Sequence, residues 1–189
     1  LADEVPERPV PTKAVVAKSK TQASEKTRAN LLKGQAWVID VENIDTDMIF
    51  HNRHLAETDP ARMGQHTFGN LKGWEDFPSK VQPNDVVLVG GNFGCGSSRQ
   101  QAVTCFLTLG VSAILAPSFG AIYERNAINE ALPVVTCDWP SMAIETGDEV
   151  QLDLTTGAFA NLTRGTSLQA RPLSDVELAI YHRGGLLKG

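Results

Sequence analysis

Hydrophobic and polar positions in the middle of the chain predict strands separated by helices. Three apolar runs, each bounded by turn-forming residues, predict buried strands at residues 85–90, 111–116 and 133–137. Apolar positions at helical spacing predict helices between them, over residues 102–109 and 119–131. Strands that alternate with helices predict parallel βαβ units.

The flanking segments carry a more strand-rich pattern. An apolar stretch at residues 35–40 predicts the first strand. Residues 149–154 alternate with period two, and the turn after them predicts a hairpin with residues 158–163. A last amphipathic helix is predicted over residues 174–182, with Ser174 as its cap. The predicted fold class is therefore mixed α/β with a β-rich part.

The N-terminal part differs in composition from the rest. Residues 1–33 contain several prolines and few apolar side chains, which predicts a flexible extension with a short helix over residues 24–32. Residues 34–189 are predicted to form one domain. The net charge of −5 gives no electrostatic argument for nucleic acid or an anionic membrane. No apolar run approaches the roughly 20 residues that span a bilayer.

The three cysteines, Cys95, Cys105 and Cys137, predict a protein of a reducing compartment. They are odd in number and lack any Cys-x-x-Cys pair, which argues against a disulfide framework. The same spacing argues against a zinc or iron–sulfur site built by this chain alone. We expect a cytoplasmic location, or an organelle stroma or matrix if the extension is a trimmed presequence.

The glycine-rich segment at residues 89–103 is the main candidate site. Four glycines follow a predicted strand, and the segment continues through Ser97, Ser98 and Arg99 into a predicted helix. Glycine permits positive φ and close approach of a ligand, and either serine can cap the helix. The N-terminus of a helix attracts anions, and arginine adds a planar clamp for a carboxylate or phosphate.

Three interpretations of this segment compete with a tight turn that binds nothing. Phosphate or nucleotide binding lacks both the Walker lysine and the Gly-x-Gly-x-x-Gly pattern. A nucleophilic Cys95 lacks a histidine nearby in sequence. The third interpretation is a carboxylate site with a serine hydroxyl at its edge. Glycines, paired serines and an arginine together favour an anion site over an empty turn.

Three motifs, in order along the chain, resemble those of the aconitase superfamily. Residues 92–99, Asn-Phe-Gly-Cys-Gly-Ser-Ser-Arg, resemble the signature of its small swivelling domain. Residues 43–49 are similar to its Ile-Asp-Thr-Asp motif, and residues 118–129 to its Ser-Phe-Ala-Arg…Arg-Asn-Ala-Ile-Asn segment. The resemblance is greatest to the separate small subunits of isopropylmalate isomerases (3-isopropylmalate dehydratases). It implies a layered β/β/α swivelling domain.

The resemblance also implies a function. Such subunits belong to hydro-lyases that isomerise 2-isopropylmalate and 3-isopropylmalate in leucine biosynthesis, by removing water and adding it back. A large partner subunit would carry a [4Fe–4S] cluster, and none would bind to this chain alone. Ser97 would be the catalytic base, and Ser98 and Arg99 would bind a substrate carboxylate. Gly94 and Gly96 would let the substrate approach the backbone.

Departures from the family pattern keep other functions open. In the loop at residues 50–58, His51 and His54 stand where the family usually has proline and tyrosine, and they flank Arg53. We expect this loop to sense the variable group of the substrate, so homoaconitate, citrate or a methylated malate are alternatives. After the arginine of the signature, the usual Glu-His is replaced by Gln100-Gln101, which leaves open a non-catalytic, anion-binding regulatory paralogue.

Overall fold

The computed structural model describes residues 27–188, so predictions that fall on residues 1–26 lie outside it. The described residues form one seven-stranded sheet with the spatial order β4-β3-β2-β1-β5-β6-β7. Strands β1 to β4 pair in parallel, and β5, β6 and β7 continue the sheet in antiparallel pairs. The strands are β1 Leu31–Ile39, β2 Val86–Val89, β3 Ala113–Ala116, β4 Val134–Thr136, β5 Glu149–Asp153, β6 Ala158–Asn161 and β7 Thr166–Gln169.

Helices cover the parallel half of the sheet and connect its strands. The helices are α1 Thr46–Ile49, α2 Pro60–Met63, α3 Phe77–Lys80, α4 Gln101–Thr108, α5 Ala121–Asn129 and α6 Asp175–Arg183. Helices α4 and α5 occupy the two positions predicted between the apolar runs, which confirms the parallel βαβ units. Within the described residues, no helix combines the length and the apolar character that crossing a bilayer requires.

Strand β1 joins the parallel and antiparallel halves. Residues 31–35 pair with β5, whereas residues 36–39 pair with β2. The strand therefore begins at Leu31, four residues before the predicted start. The helix predicted over residues 24–32 is wrong for residues 27–32: residues 27–30 are not helical, and pairing with β5 places Leu31 and Leu32 in the sheet. The flexible extension predicted over residues 1–33 is likewise wrong for residues 31–33, which belong to β1, and it stays a prediction for the residues outside the described range.

The sheet separates two apolar cores. Because side chains alternate across a strand, Val87 and Val89 of β2 enter one core, and Val86 and Leu88 enter the other. Both faces are covered, which explains why the parallel strands appear in the sequence as continuous apolar runs. The first core, beneath the candidate site, contains a cluster of fully buried aromatic rings: Phe50, Phe68, Phe77, Phe93 and Phe106.

The C-terminal helix begins and ends as its sequence predicts. Ser174 Oγ accepts a hydrogen bond from Glu177 N at 3.3 Å, and Glu177 Oε2 accepts one from Ser174 N at 2.7 Å. This reciprocal pair is a capping box. Gly184 ends α6 in the left-handed region with φ +84°. The predicted hairpin of β5 and β6 is also present, but β7 was missed because its mostly exposed residues show no apolar alternation.

Candidate functional site

Three segments that are distant in sequence meet at the carboxyl ends of β1, β2 and β3. They are the turn at residues 43–47, the glycine loop at residues 90–99 and the segment at residues 118–120. A parallel bridge joins the turn to the glycine loop through Asp45 and Cys95. Further bridging and backbone hydrogen bonds join the glycine loop to the segment after β3. This edge of a parallel sheet is where α/β proteins commonly bind ligands.

Gly94 and Gly96 differ in what surrounds them. Gly94 is buried with φ +75°, and a Cβ added there would lie 2.2 Å from Cγ of Tyr123. Tyr123 is itself fixed, because its hydroxyl donates to the carbonyl of Ala102 at 3.0 Å. Gly96 has φ +97° and is exposed, and its nearest neighbour, Thr46 Oγ1, would lie 3.6 Å from an added Cβ. Packing therefore requires glycine at the first position, and backbone conformation favours it at the second.

Ser97 combines a fixed backbone with a free side chain. Its carbonyl accepts a hydrogen bond of 3.0 Å from the hydroxyl of Thr46, which is buried. The residue itself is exposed, and its Oγ makes no hydrogen bond with any residue in the described part of the chain. The hydroxyl is therefore available to a ligand approaching this edge of the sheet.

Ser98 is held by a residue to which the sequence alone assigned no chemistry. Nδ2 of Asn126, on α5, donates to Oγ of Ser98 at 3.1 Å. The contact joins residues that are 28 positions apart. Only its place in the third family-like motif could have indicated a role for Asn126. Because the serine oxygen accepts this bond, its own proton remains free to be donated.

Arg99 holds the end of α1 against the glycine loop. Its Nη1 donates to the carbonyl of Phe50 at 2.7 Å, to Asp47 Oδ1 at 2.9 Å and to the carbonyl of Thr46 at 3.3 Å. The arginine side chain is 12% exposed, compared with 36% for its aspartate partner. The hydrogen bond from Arg99 is the main cause that lowers the pKa of Asp47, which keeps that carboxylate charged.

These bonds occupy one of the three nitrogens of the Arg99 guanidinium. Among the described residues, no buried side-chain nitrogen or oxygen lacks a hydrogen-bond partner. Nε and Nη2 make no such bond within that part of the chain, so they reach solvent. They form the side of the guanidinium that suits bidentate contact with a carboxylate.

Neither serine caps α4, so that prediction is wrong. The N-cap residue is Gln100, which has helical backbone angles and no capping side-chain bond. A turn lies between the serines and the helix, since Arg99 O already accepts from Ala102 N at 3.1 Å. The amides at the start of α4 therefore do not surround Ser97 directly.

The loop after α1 borders the site, and its His54 ring forms a stack with a later residue that the sequence did not predict. His51 Nδ1 accepts from the backbone N–H of Arg53 at 3.1 Å, and Arg53 Nε donates to His54 Nε2 at 2.9 Å. The His54 ring stacks on His66, with centroids 3.8 Å apart. Burial is the main cause that lowers the pKa of His54, followed by the charges of His66, Arg53 and His51. The roles of the loop residues in specificity stay predictions.

The side chains described here do not fit an iron–sulfur cluster. Residues 27–188 contain no group of three or more His, Cys, Asp or Glu that could hold a metal ion. Burial raises the pKa of both Cys105 and Cys137 to about 12, so these thiols stay protonated. Cys95 is partly exposed, and its Sγ lies 3.6 Å from the carbonyl of Asn43. Metal–sulfur clusters require several thiolates close together.

Comparison with known proteins identifies the family. Residues 18–138 match the model of the aconitase C-terminal domain. A 3-isopropylmalate dehydratase small subunit from Caldicellulosiruptor bescii is 42% identical over 147 residues, covering 78% of this chain and 87% of that protein. The isopropylmalate/citramalate isomerase small subunit of Methanocaldococcus jannaschii is 39% identical over 158 residues, covering 84% and 92%.

The fold agrees with these relatives. The crystal structure of a 3-isopropylmalate dehydratase from Methanocaldococcus jannaschii superposes with a TM-score of 0.77 at 34% identity, covering 84% of this chain and 92% of that one. The chain belongs to the aconitase C-terminal domain family and, within it, to the family of 3-isopropylmalate dehydratase small subunits. The resemblance and the fold that it implied, a layered β/β/α swivelling domain of the small-subunit type, are confirmed.

Proposed function

We propose that this chain is the small subunit of a hydro-lyase that interconverts 2-isopropylmalate and 3-isopropylmalate in leucine biosynthesis. Its relatives are named as small subunits of such enzymes, which supports a larger partner chain. The observation that carries the proposal is the placement of Ser97, Ser98 and Arg99 together on one ligand-accessible edge of the sheet, in a chain of this family.

In this proposal Ser97 moves the proton. The reaction removes a weakly acidic proton next to a carboxylate, so it needs a base and stabilisation of the developing charge. The Ser97 hydroxyl is exposed, and Thr46 fixes the backbone beneath it. As an alkoxide, Ser97 would take the proton at Oγ and return it on rehydration. The guanidinium of Arg99 and the glycine-loop amides are the groups that would stabilise that alkoxide.

Ser98, Arg99 and the glycines would bind the substrate carboxylate. Asn126 occupies a lone pair of Ser98 Oγ, which leaves the hydroxyl proton for a carboxylate oxygen. Nε and Nη2 of Arg99 would make two further hydrogen bonds. Gly96, exposed and without a side chain, would let the carboxylate approach the loop; Gly94 would support this by keeping the loop close to the core.

A [4Fe–4S] cluster, when bound, supplies a Lewis acid for the leaving hydroxyl group. We assign it to the large subunit, because the donor set of the described residues does not fit one. The contributions of this chain would be proton transfer at Ser97 and orientation of the carboxylate. The three free cysteines support a reducing compartment, such as the cytoplasm or an organelle interior.

A methylated malate is the second candidate substrate. The name of the Methanocaldococcus jannaschii relative includes citramalate, a malate with an added methyl group. In this chain the loop at residues 50–58 carries His51, Arg53 and His54. These polar side chains are poorly suited to contact the branched alkyl group of isopropylmalate. The polarity of the loop would suit a substrate with a smaller or more polar variable group, so homoaconitate and citrate are further candidates.

Reconstitution with the large subunit from the same source tests the proposal. We expect turnover of 3-isopropylmalate only when both chains are present and the iron–sulfur chain is intact. A parallel panel of citramalate, homoaconitate and citrate ranks the substrates by kcat/KM. Failure of all four substrates in an iron-loaded complex would overturn the hydro-lyase proposal. Turnover by this chain alone would overturn the claim that activity requires the large subunit.

A further inference from the structure

We propose that the stacked rings of His54 and His66 form a pH-sensitive brace that fixes the loop at residues 50–58 beside Arg99. The inference deepens the proposed function, because that loop borders the carboxylate site. The brace is formed only by residues of this chain, however, so it can be measured without the partner subunit and without turnover.

The two rings lie nearly parallel and in contact. Their centroids are 3.8 Å apart and their planes differ by 14°. The buried ring of Phe50 meets both edge-on, at 6.3 Å from His54 and 5.8 Å from His66. His54 ends the 3-10 turn Asn52–His54, and His66 ends a separate one, Gly64–His66. The stack therefore ties two turns that lie on different parts of the chain.

A hydrogen bond assigns the protonation state of His54. Nε of Arg53 is always a donor, and it lies 2.9 Å from Nε2 of His54. Nε2 must therefore be the unprotonated nitrogen, and the neutral ring carries its proton on Nδ1. A second proton would bind Nε2 and place two N–H groups against each other, so protonation breaks this bond.

The surroundings of the stack oppose positive charge. Neither ring forms an ion pair with a carboxylate of the described residues, and the nearby Asp47 is bonded to Arg99 and to the backbone N–H of Asn52. Burial and the neighbouring charges lower the pKa of His54. The charged or titratable groups that face it are His51, Arg53 and His66. The stack is therefore stable while the His54 ring is neutral and weakens as the pH falls.

Phe50 connects the stack to the proposed site. Its ring packs on both histidines, and its carbonyl accepts the 2.7 Å bond from Nη1 of Arg99. A loosened stack removes packing from that ring and lets the carbonyl move relative to the guanidinium. In the complex, we expect KM to rise on the acid side, because the guanidinium that binds the substrate carboxylate is no longer held in place.

NMR of histidine rings in the full chain tests the brace directly. We expect His54 to be the Nδ1–H tautomer at neutral pH and to titrate below about 6.5, the ordinary value. The variant His66→Phe keeps an aromatic neighbour and removes its charge, so the His54 midpoint should move upward. His182 on α6, which contacts Asn30, is the control, and its ring resonances should be the same in both proteins.

Two NMR results would overturn the proposal. One is an Nε2–H tautomer of His54 in the wild-type chain, which can be seen even if the variant fails to fold. The other is a His54 midpoint that the His66→Phe substitution leaves in place. Neither result depends on catalysis, so they are distinguishable from failure of the proposed function, which would appear as absent turnover in the reconstituted complex.

Kinetics of the reconstituted complex extend the test to the site. Protonated His54 can be retained over the face of a phenylalanine by a cation–π contact. The acid-side rise in KM for 3-isopropylmalate should therefore be smaller in His66→Phe than in the wild type. An equal rise in both complexes would overturn the coupling between the brace and Arg99.

Discussion

Arg99 and Asp47 form a hydrogen-bonded ion pair, with Nη1 of the arginine 2.9 Å from Oδ1 of the aspartate. The same nitrogen donates to the carbonyl of Phe50, at the end of α1. Arg99 therefore has a structural task, which is to hold α1 on the glycine loop, beside its proposed task of binding a carboxylate. A variant that keeps the contact with α1 but weakens carboxylate binding can separate the two roles of Arg99.

The substitution Arg99→Lys keeps the positive charge but removes the side-on pair of donors. A hydrogen bond to a charged group contributes about 1.5–3 kcal/mol, so kcat/KM of the complex should fall about 10- to 100-fold. The thermal midpoint of the isolated chain should fall only slightly, since an ammonium can still reach Asp47. Arg164→Lys, remote from the glycine loop, is the matched control and should leave kcat/KM near the wild-type value. An unaltered kcat/KM in Arg99→Lys would remove the arginine from substrate binding.

The contact between Asn126 and Ser98 makes a second prediction. Asn126→Ala removes the donor that orients the serine hydroxyl, and a neutral hydrogen bond of this kind is worth about 0.5–1.5 kcal/mol. We expect KM of the complex to rise roughly twofold to tenfold. Asn126→Asp has the same shape but replaces the donor with a negative charge, so its KM should rise further. If the two variants bind substrate as well as the wild type does, Asn126 has no positioning role.

The two glycines of the loop provide a matched pair for stability. Gly96→Ala makes only ordinary van der Waals contacts and should cost about 1–2 kcal/mol, because alanine is strained at positive φ. Gly94→Ala carries the same strain and also collides with the ring of Tyr123, adding about 1–3 kcal/mol. Chemical denaturation of the two variants measures the difference. Equal unfolding free energies would show that Tyr123 does not pack on Gly94 as described.

Acid should weaken the antiparallel half of the fold through Asp148. Hydrogen bonds from Arg164 at 2.6 Å and from Asn161 at 2.8 Å lower the pKa of its carboxyl to about 2. A lowered folded-state pKa gives stability that is present above about pH 4, the unfolded value, and is lost as the pH falls towards 2.

The variant Asp148→Asn tests whether the stability contributed by Asp148 is lost as the pH falls. It should have a lower thermal midpoint than the wild type at pH 7, and the difference should shrink between pH 4 and pH 2. Asp153→Asn, on β5 in the same half of the sheet, removes an equal charge without an arginine partner and serves as the control. A difference that grows as the pH falls would contradict the role assigned to the Asp148 network.

Much of the fold could be predicted because local pattern and tertiary environment agree. The continuous apolar run of β2 indicated a strand covered on both faces, and Ser174 with Glu177 indicated the start of α6. Strand β7 could not be predicted in the same way. Three of its four residues are polar and exposed and only Leu168 packs on the core, so the sequence shows no strand pattern and pairing with β6 defines the strand.

The site was predictable as a set of residue types, but not as a set of contacts. Ser97 and Arg99 stood out because serines, glycines and an arginine follow a strand. The partners of these residues come from other segments: Thr46 fixes the serine backbone, and Asn126 orients the second serine. The stack with His66 likewise depends on how two turns fold together. The cap on α4 was predicted wrongly because an intervening turn is invisible in the residue pattern.

The most direct test of the central claim is kcat of the reconstituted complex carrying Ser97→Ala. Loss of a general base lowers rates by about 10²- to 10⁴-fold, and we expect a fall in kcat of that size. The thermal midpoint should match the wild type, because the serine hydroxyl is exposed and makes no hydrogen bond within the described part of the chain. A correctly folded, iron-loaded Ser97→Ala complex with wild-type kcat would contradict the claim that this hydroxyl transfers the proton.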